Sequence, residues 1–242
     1  MNAVLALLAS VVWGASDFLG GVVSRRVRPL VVVGLAHAIA LITLVAIAIP
    51  AHGFSVARGY LPWAVAAGCV GLVGLVAFYG ALSTGTMGIV APIAGTGAVV
   101  PVVVGLVWGD SPTTLQIAGI AAAVLGVVLA SGPELAGAGT GGSRPLVLAV
   151  VSAVMFGLVF VLIDKGSSHN VLMTLLTMRA TSVLIVTTLA VGYLLRRRRT
   201  GFVAPTQRPR LRDVPAIALI GWTDAGANAL YGVATRHGLV SV

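Results

Sequence analysis

The stretch AVLALLASVVWGASDFLGGVV at residues 3–23 contains a single charged side chain, Asp17. An α-helix rises about 1.5 Å per residue, so roughly 20 apolar residues cross a hydrocarbon core about 30 Å thick. A carboxylate at the centre of such a helix costs about 3 kcal/mol or more. The stretch therefore predicts a membrane-spanning helix, and Asp17 is the first candidate for a functional residue.

Apolar blocks of similar length recur along the whole chain. They lie at about 30–50, 62–82, 88–108, 113–131, 145–163, 171–195 and 214–234. The sequence is 58% hydrophobic and 9% charged, whereas soluble domains average about 25% charged residues. We therefore expect an all-α integral membrane protein with about eight transmembrane helices, a multi-pass protein of the cell membrane.

The net charge of +9 arises from basic residues at the ends of the predicted helices. Most of the fifteen Lys and Arg residues fall in three connections, and these are Arg25, Arg26, Arg28, Arg144, Arg196, Arg197, Arg198, Arg199, Arg208, Arg210 and Arg212. Basic loops beside membrane helices follow the positive-inside rule. The charges therefore predict an outside N-terminus and a cytoplasmic 196–212 loop, and they do not indicate nucleic-acid binding.

The two halves of the chain resemble each other. LALLASVVWGASDFLGGVVS (5–24) aligns with LAVVSAVMFGLVFVLIDKGS (148–167) at an offset of 143, and AFYGAL (77–82) aligns with ALYGVA (229–234) at an offset of 152. Matches in the same order at similar spacing favour a duplication. Five spans precede the second copy, so that copy enters the membrane inverted, as in many transporters.

This alignment predicts the domain organisation. A first five-helix repeat covers 1–131, a Gly-rich linker covers 132–145, and a second repeat with three helices covers 146–242. Relative to the first repeat, the second lacks about 42 residues after its Tyr231 motif. We therefore expect an incomplete second copy and a C-terminally truncated chain.

Three further motifs accompany this repeat. WGASDF (13–18), ALSTGTMGIVAPIAG (81–95) followed by VVPVVVGLVWGD (99–110), and QIAGIAAAVLGVVLA (116–130), together with the inverted copy, resemble the EamA family of the drug/metabolite transporter superfamily. The resemblance implies ten helices in two five-helix repeats that export or import small metabolites, amino acids or drugs. The chain departs from the family pattern in having Asp110 where the family usually has Glu, and in lacking the ninth and tenth helices.

The first candidate site lies in the first span. Trp13 and Asp17 are four residues apart and share one helical face, beside Gly14. In the functional interpretation, Asp17 faces a central cavity and binds a proton or a cationic group, while Trp13 stacks on the substrate. In the structural interpretation, Asp17 lies near the water interface or caps a neighbouring helix. The aligned residue in the second half is Phe160, so a site here is asymmetric.

The last span carries a second polar stripe. Asp224, Asn228 and Tyr231 are spaced to line one helical face, and Tyr79 is the match of Tyr231 in the first half. The stripe either faces Asp17 across the repeat interface or makes hydrogen bonds between packed helices.

His37 and Arg179 occupy similar places in the two halves and are the other ionisable groups at membrane depth. His37 ordinarily titrates near neutral pH, but a lone intramembrane histidine is also a common packing residue. Arg179 either pairs with Asp224 or Asp164 or extends toward an interface, and we favour pairing.

The fourth span contains two prolines, Pro92 and Pro101, each four residues after a glycine, Gly88 or Gly97. Proline clashes with the carbonyl four residues earlier and cannot donate a hydrogen bond to it. The spacing predicts a kinked helix. The kink either releases carbonyls around a cavity, as in transporters, or serves packing alone.

We predict a secondary active transporter that exports small metabolites, amino acids or drug-like amphiphiles. Proton coupling is one mechanism that would drive this export. The alternatives are an intramembrane enzyme, such as a protease with two aspartates, or a nonfunctional or partner-dependent fragment of a ten-helix transporter. The sequence has no HExxH, GxSxG, Cys/His cluster or phosphate loop, so we expect no enzyme, cofactor or metal. The expected partners are a small-molecule substrate and membrane lipid, with a homodimer as a further option.

Overall fold

The computed structural model describes residues 2–109, 111–135, 143–200 and 209–235, and every regular element in these ranges is a helix. Short 3-10 turns lie at Gly53–Ser55, Arg58–Tyr60, Thr96–Ala98 and Leu211–Asp213. The α-helices are α1 (Asn2–Ser24), α2 (Pro29–Ala48), α3 (Leu61–Thr84), α4 (Met87–Gly95), α5 (Val99–Val107), α6 (Thr114–Leu135), α7 (Ser143–His169), α8 (Val171–Thr200) and α9 (Val214–Thr235). The predicted all-α fold is confirmed.

Six segments of the described chain are long and apolar enough to cross a membrane. They are Val4–Ser24, Pro29–Ala48, Arg58–Thr84, Met87–Val107, Ser143–His169 and Val171–Thr200. The 22-residue helices α6 and α9 would each extend over about 33 Å, which is long enough to match the remaining two predicted spans. The protein is therefore a multi-pass membrane protein.

The fourth span is broken between its two prolines. A 3-10 turn at Thr96–Ala98 separates α4 from α5, and Pro101 cannot donate to the carbonyl of Gly97. That carbonyl instead lies against α7, where a β-carbon on Gly157 would sit only 2.5 Å from it. Gly97 itself lies against the carbonyl of Ala153. The break thus lets α7 approach the span closely.

Helix packing follows a symmetric pattern. α1 packs most extensively on α9 and α3 on α7, while α2 contacts α9 as α8 contacts α3. If α1, α2 and α3 are exchanged with α7, α8 and α9 in that order, the contact of α1 with α9 becomes that of α7 with α3. In the same way, the contact of α2 with α9 becomes that of α8 with α3. This is the pattern that a two-fold relation between the halves would produce, and the division into two repeats stays a prediction.

Two close backbone contacts repeat the same pattern. Gly68 of α3 lies against the carbonyl of Met178 in α8, and Gly221 of α9 lies against the carbonyl of Ala36 in α2. The two glycines are 153 positions apart (221 minus 68) and the two carbonyl residues 142 apart (178 minus 36). The offset of 153 differs by one residue from the offset of 152 in the sequence alignment, and the offset of 142 differs by one residue from the offset of 143. Both crossings depend on the missing β-carbon of a glycine.

We expect Gly221→Ala to destabilise the protein by about 1–3 kcal/mol, the usual cost of overpacking. The new methyl group would collide with the backbone of Ala36, and a backbone cannot rotate aside. Gly226→Ala on the same helix is the control, because no atom lies within 4 Å of the position that an added β-carbon would take there. Thermal unfolding in detergent should show a lower melting temperature for Gly221→Ala alone. Equal melting temperatures for the two variants would contradict the close crossing of α2 and α9.

Candidate functional site

A cavity of about 900 Å³ lies among the helices, and each of the nine α-helices in the described residues contributes to its lining. Most of its wall is apolar, with side chains and glycines from α1, α3, α4, α5, α6 and α7. Nine of the residues singled out in the sequence line the cavity: Trp13, Gly14, Asp17, His37, Pro101, Arg179, Asp224, Asn228 and Tyr231. The structure therefore brings together residues that are more than 200 positions apart in the chain.

Arg179 is the centre of the polar cluster in this cavity. Its Nη2 lies 2.6 Å from Oδ2 of Asp224, and its Nη1 lies 2.8 Å from Nε2 of His37. A guanidinium has only donors, so Nε2 of His37 accepts this hydrogen bond and the imidazole is neutral with its hydrogen on Nδ1. Arg179 and His37 are each 1% exposed. The side chain of Arg179 is therefore an intramembrane cation that pairs with an acid.

Asp224 has a further partner on its own helix. Asn228 Nδ2 donates to Asp224 Oδ1 at 3.1 Å and to the Asp224 carbonyl at 2.7 Å. The spacing of four residues places both side chains on one face of α9. Asn228 and Arg179 together hold the Asp224 carboxylate, which suits a charge that is removed from water.

Asp17 differs from Asp224, because within the described residues it makes no hydrogen bond or ion pair. Its carboxylate lines the cavity and is repelled by the charge of Asp224. Ser16 next to it donates to the carbonyl of Ile220 at 3.2 Å, which ties α1 to α9 and turns the face with Asp17 toward the cavity. The guanidinium of Arg179 lies against the carboxylate of Asp224, so an ionised Asp17 would be an excess carboxylate without a counter-charge among these groups, and a proton on Asp17 would remove that excess.

Three aromatic rings from three helices meet at the wall of the cavity that Asp17 also lines. The ring centroids of Trp13 and Phe160 are 5.3 Å apart, those of Trp13 and Tyr231 are 5.8 Å apart, and those of Phe160 and Tyr231 are 5.2 Å apart. The Tyr231 hydroxyl lies 3.4 Å from the Phe160 carbonyl, to which it donates. The sequence showed Phe160 only as the match of Asp17, since nothing local indicates that α1, α7 and α9 converge.

Two predicted residues lie elsewhere. Tyr79 is fully buried in the core, and its ring packs on Gly20 of α1, where a side chain would leave no room. Pro92 lies inside α4 and does not line the cavity. Asp110 and the chain end at 236–242 lie outside the described residues.

The described part of the chain holds no group of three or more His, Cys, Asp or Glu side chains placed to bind a metal ion. The described lining of the cavity offers the carboxylate of Asp17, the ion pair of Arg179 with Asp224 and an aromatic wall.

The profile of the EamA-like transporter family matches residues 1–132. This segment covers more than half of the 242 residues and contains α1 to α5 and most of α6. No curated protein matches the sequence significantly.

Proposed function

Because the chain belongs to the EamA-like transporter family, we propose that it is a secondary active transporter that carries small molecules through its central cavity. Membership makes it a membrane transporter of the drug/metabolite transporter superfamily. The protein would lie in the cell membrane and use an ion gradient to export small metabolites, amino acids or drug-like amphiphiles.

The observation that carries the proposal is the cavity with its single excess carboxylate. Its volume of about 900 Å³ lies within the roughly 300–1,000 Å³ typical of small-molecule sites. Such sites combine an apolar wall with a few polar groups that orient the ligand. Trp13, Asp17 and Tyr231 provide these groups on a wall that is otherwise apolar.

The excess charge also supports a coupling mechanism. An uncompensated carboxylate inside a membrane protein is costly, and a proton or a bound cation removes that cost. The Asp17 carboxylate binds one of them at a time, so the entry of one releases the other. Protons that enter the cell down their gradient would then drive the substrate outward.

The helix arrangement suits alternating access. Inverted-repeat transporters expose a site at the repeat interface by rocking one bundle against the other. Here the cavity lies where α1 meets α9 and α3 meets α7, and the break between α4 and α5 borders it. His37 and Arg179, which occupy similar places in the two halves, meet at 2.8 Å in this region. We propose that these helix pairs are the moving interfaces.

An intramembrane protease with two aspartates is less well supported. That chemistry requires two carboxylates that share a proton. Asp224 instead lies 2.6 Å from the guanidinium of Arg179, while Asp17 makes no ion pair within the described residues. The unequal environments of the two acids favour one structural and one titrating carboxylate.

We test the route with Gly14→Phe, which places a ring in the cavity. Gly14 lines the cavity, and no atom lies within 4 Å of the position of an added β-carbon, so a side chain can leave the backbone there without a clash and its ring would take up space in the cavity. In liposomes with an acidic interior, the wild-type chain should accumulate small amphiphiles, and Gly14→Phe should abolish this uptake.

Gly226→Phe is the matched control for this experiment. Gly226 borders a shallow apolar groove with Leu5, Val12 and Trp222, outside the cavity, and its β-carbon position is equally open. We expect uptake by this variant to equal that of the wild type. Wild-type uptake by folded Gly14→Phe would contradict the cavity as the route.

A further inference from the structure

We propose that the substrate is an organic cation, which binds with its charge between Asp17 and the aromatic cluster of Trp13, Phe160 and Tyr231. This inference rests on the proposed transport function and narrows its substrate class. The favoured ligands are quaternary or tertiary ammonium compounds with an apolar body.

The aromatic cluster is suited to a cation. The faces of aromatic rings are electrostatically negative, and cations bind within about 6 Å of a ring centroid, most strongly at Trp and Tyr. The three rings are tilted by 46° to 51° relative to one another. They therefore form a curved wall on the cavity rather than a closed stack. A methylated ammonium group, which is weakly hydrated, can pack on this wall.

The charges of the cavity select against anions. Arg179 is paired with Asp224 and hydrogen-bonded to His37, so the lining described here offers no cation that is free of a protein partner. Asp17 would repel a carboxylate or phosphate that entered. Free amino acids and acidic metabolites, which need a counter-cation for their carboxylate, are therefore poor ligands among the substrate classes of the family.

The rest of the wall accommodates an apolar body. Leu75, Phe78, Ala94 and Val102 line the cavity together with glycines of α1, α3 and α6. These residues offer apolar contact and no charge. A branched or aromatic cation thus matches the cavity better than a small inorganic ion, which would keep its water shell.

The experiment measures equilibrium binding of radiolabelled benzyltrimethylammonium to the purified full chain in detergent. Unlabelled choline should displace the label, whereas 3,3-dimethylbutan-1-ol, which has the same shape without the charge, should not. Benzoate should not displace it either. Equal displacement by choline and its neutral isostere would overturn the inference.

Variants test the two parts of the site separately. Asp17→Asn should abolish binding, and Trp13→Leu should weaken it about thirtyfold, as expected for a desolvated cation on a tryptophan face. Trp222→Leu is the matched control, because Trp222 is exposed, donates to Thr43 at 3.0 Å and lies outside the cavity. Equal loss of affinity in Trp13→Leu and Trp222→Leu, with both variants folded, would contradict the aromatic site.

The outcomes distinguish this inference from the transport function. In one outcome, the wild-type chain takes up a neutral amphiphile, Gly14→Phe blocks this uptake, and the cation does not bind. The transport function would then stand, and only the cation site would be refuted. Binding of the cation by a wild-type chain that transports nothing would support the site and refute the transport function.

Discussion

Replacement of Arg179 by methionine is expected to lower the free energy of unfolding by about 3–5 kcal/mol, the usual cost of removing one partner from a buried ion pair. Asp224 is 8% exposed and would lose the guanidinium that lies 2.6 Å from its carboxylate. Asn228 alone cannot balance its charge. His37 would also lose its hydrogen bond to Nη1. Denaturant unfolding in mixed micelles measures the difference.

The double variant Arg179→Met with Asp224→Leu is the control for this prediction. Apolar residues often replace a buried ion pair without loss of stability. Asp224→Leu should therefore restore most of the free energy of unfolding that Arg179→Met removes. A double variant no more stable than Arg179→Met would show that the ion pair does not explain the loss.

The sequence alone predicted the helices well, because a backbone in hydrocarbon must satisfy its hydrogen bonds within the segment. Apolar block length therefore located the spans, and the proline spacing located the break at Thr96–Ala98. The residues at which the helices end were predicted less well. α7 continues to His169, beyond the predicted end at 163, since helical hydrogen bonds persist where Asp164 and Lys165 end the apolar block.

The candidate site was predictable only in part. Helical spacing placed Trp13 with Asp17 and Asp224 with Asn228, because residues four apart share a face. Repeat alignment matched Tyr79 with Tyr231, yet the first is in the core beside Gly20 and the second lines the cavity. Alignment identifies equivalent positions on helices and not equivalent surroundings. The choice of Asp224 as the partner of Arg179 likewise depends on tertiary packing, which no local pattern encodes.

The Asp17→Asn variant is expected to lose gradient-driven accumulation completely while it remains folded. Asparagine keeps the size and polarity of the side chain but cannot exchange a proton. Asp17 has no hydrogen bond or ion pair within the described residues, so its charge supports no structure there and the melting temperature should not fall. Asp224→Asn provides the contrast, because it leaves the guanidinium of Arg179 without its acid and should lower the melting temperature.

The central claim is that Asp17 couples transport to protons. Its most direct test compares the accumulation of a small amphiphile by the wild type and by Asp17→Asn, side by side in liposomes at matched protein incorporation. The interior of the vesicles is acidic, and the external pH is varied to change the gradient. We predict that wild-type accumulation rises with the gradient and that Asp17→Asn shows none at any pH. Accumulation by Asp17→Asn at the wild-type rate, with the same pH dependence, would contradict the claim that this carboxylate couples transport to protons.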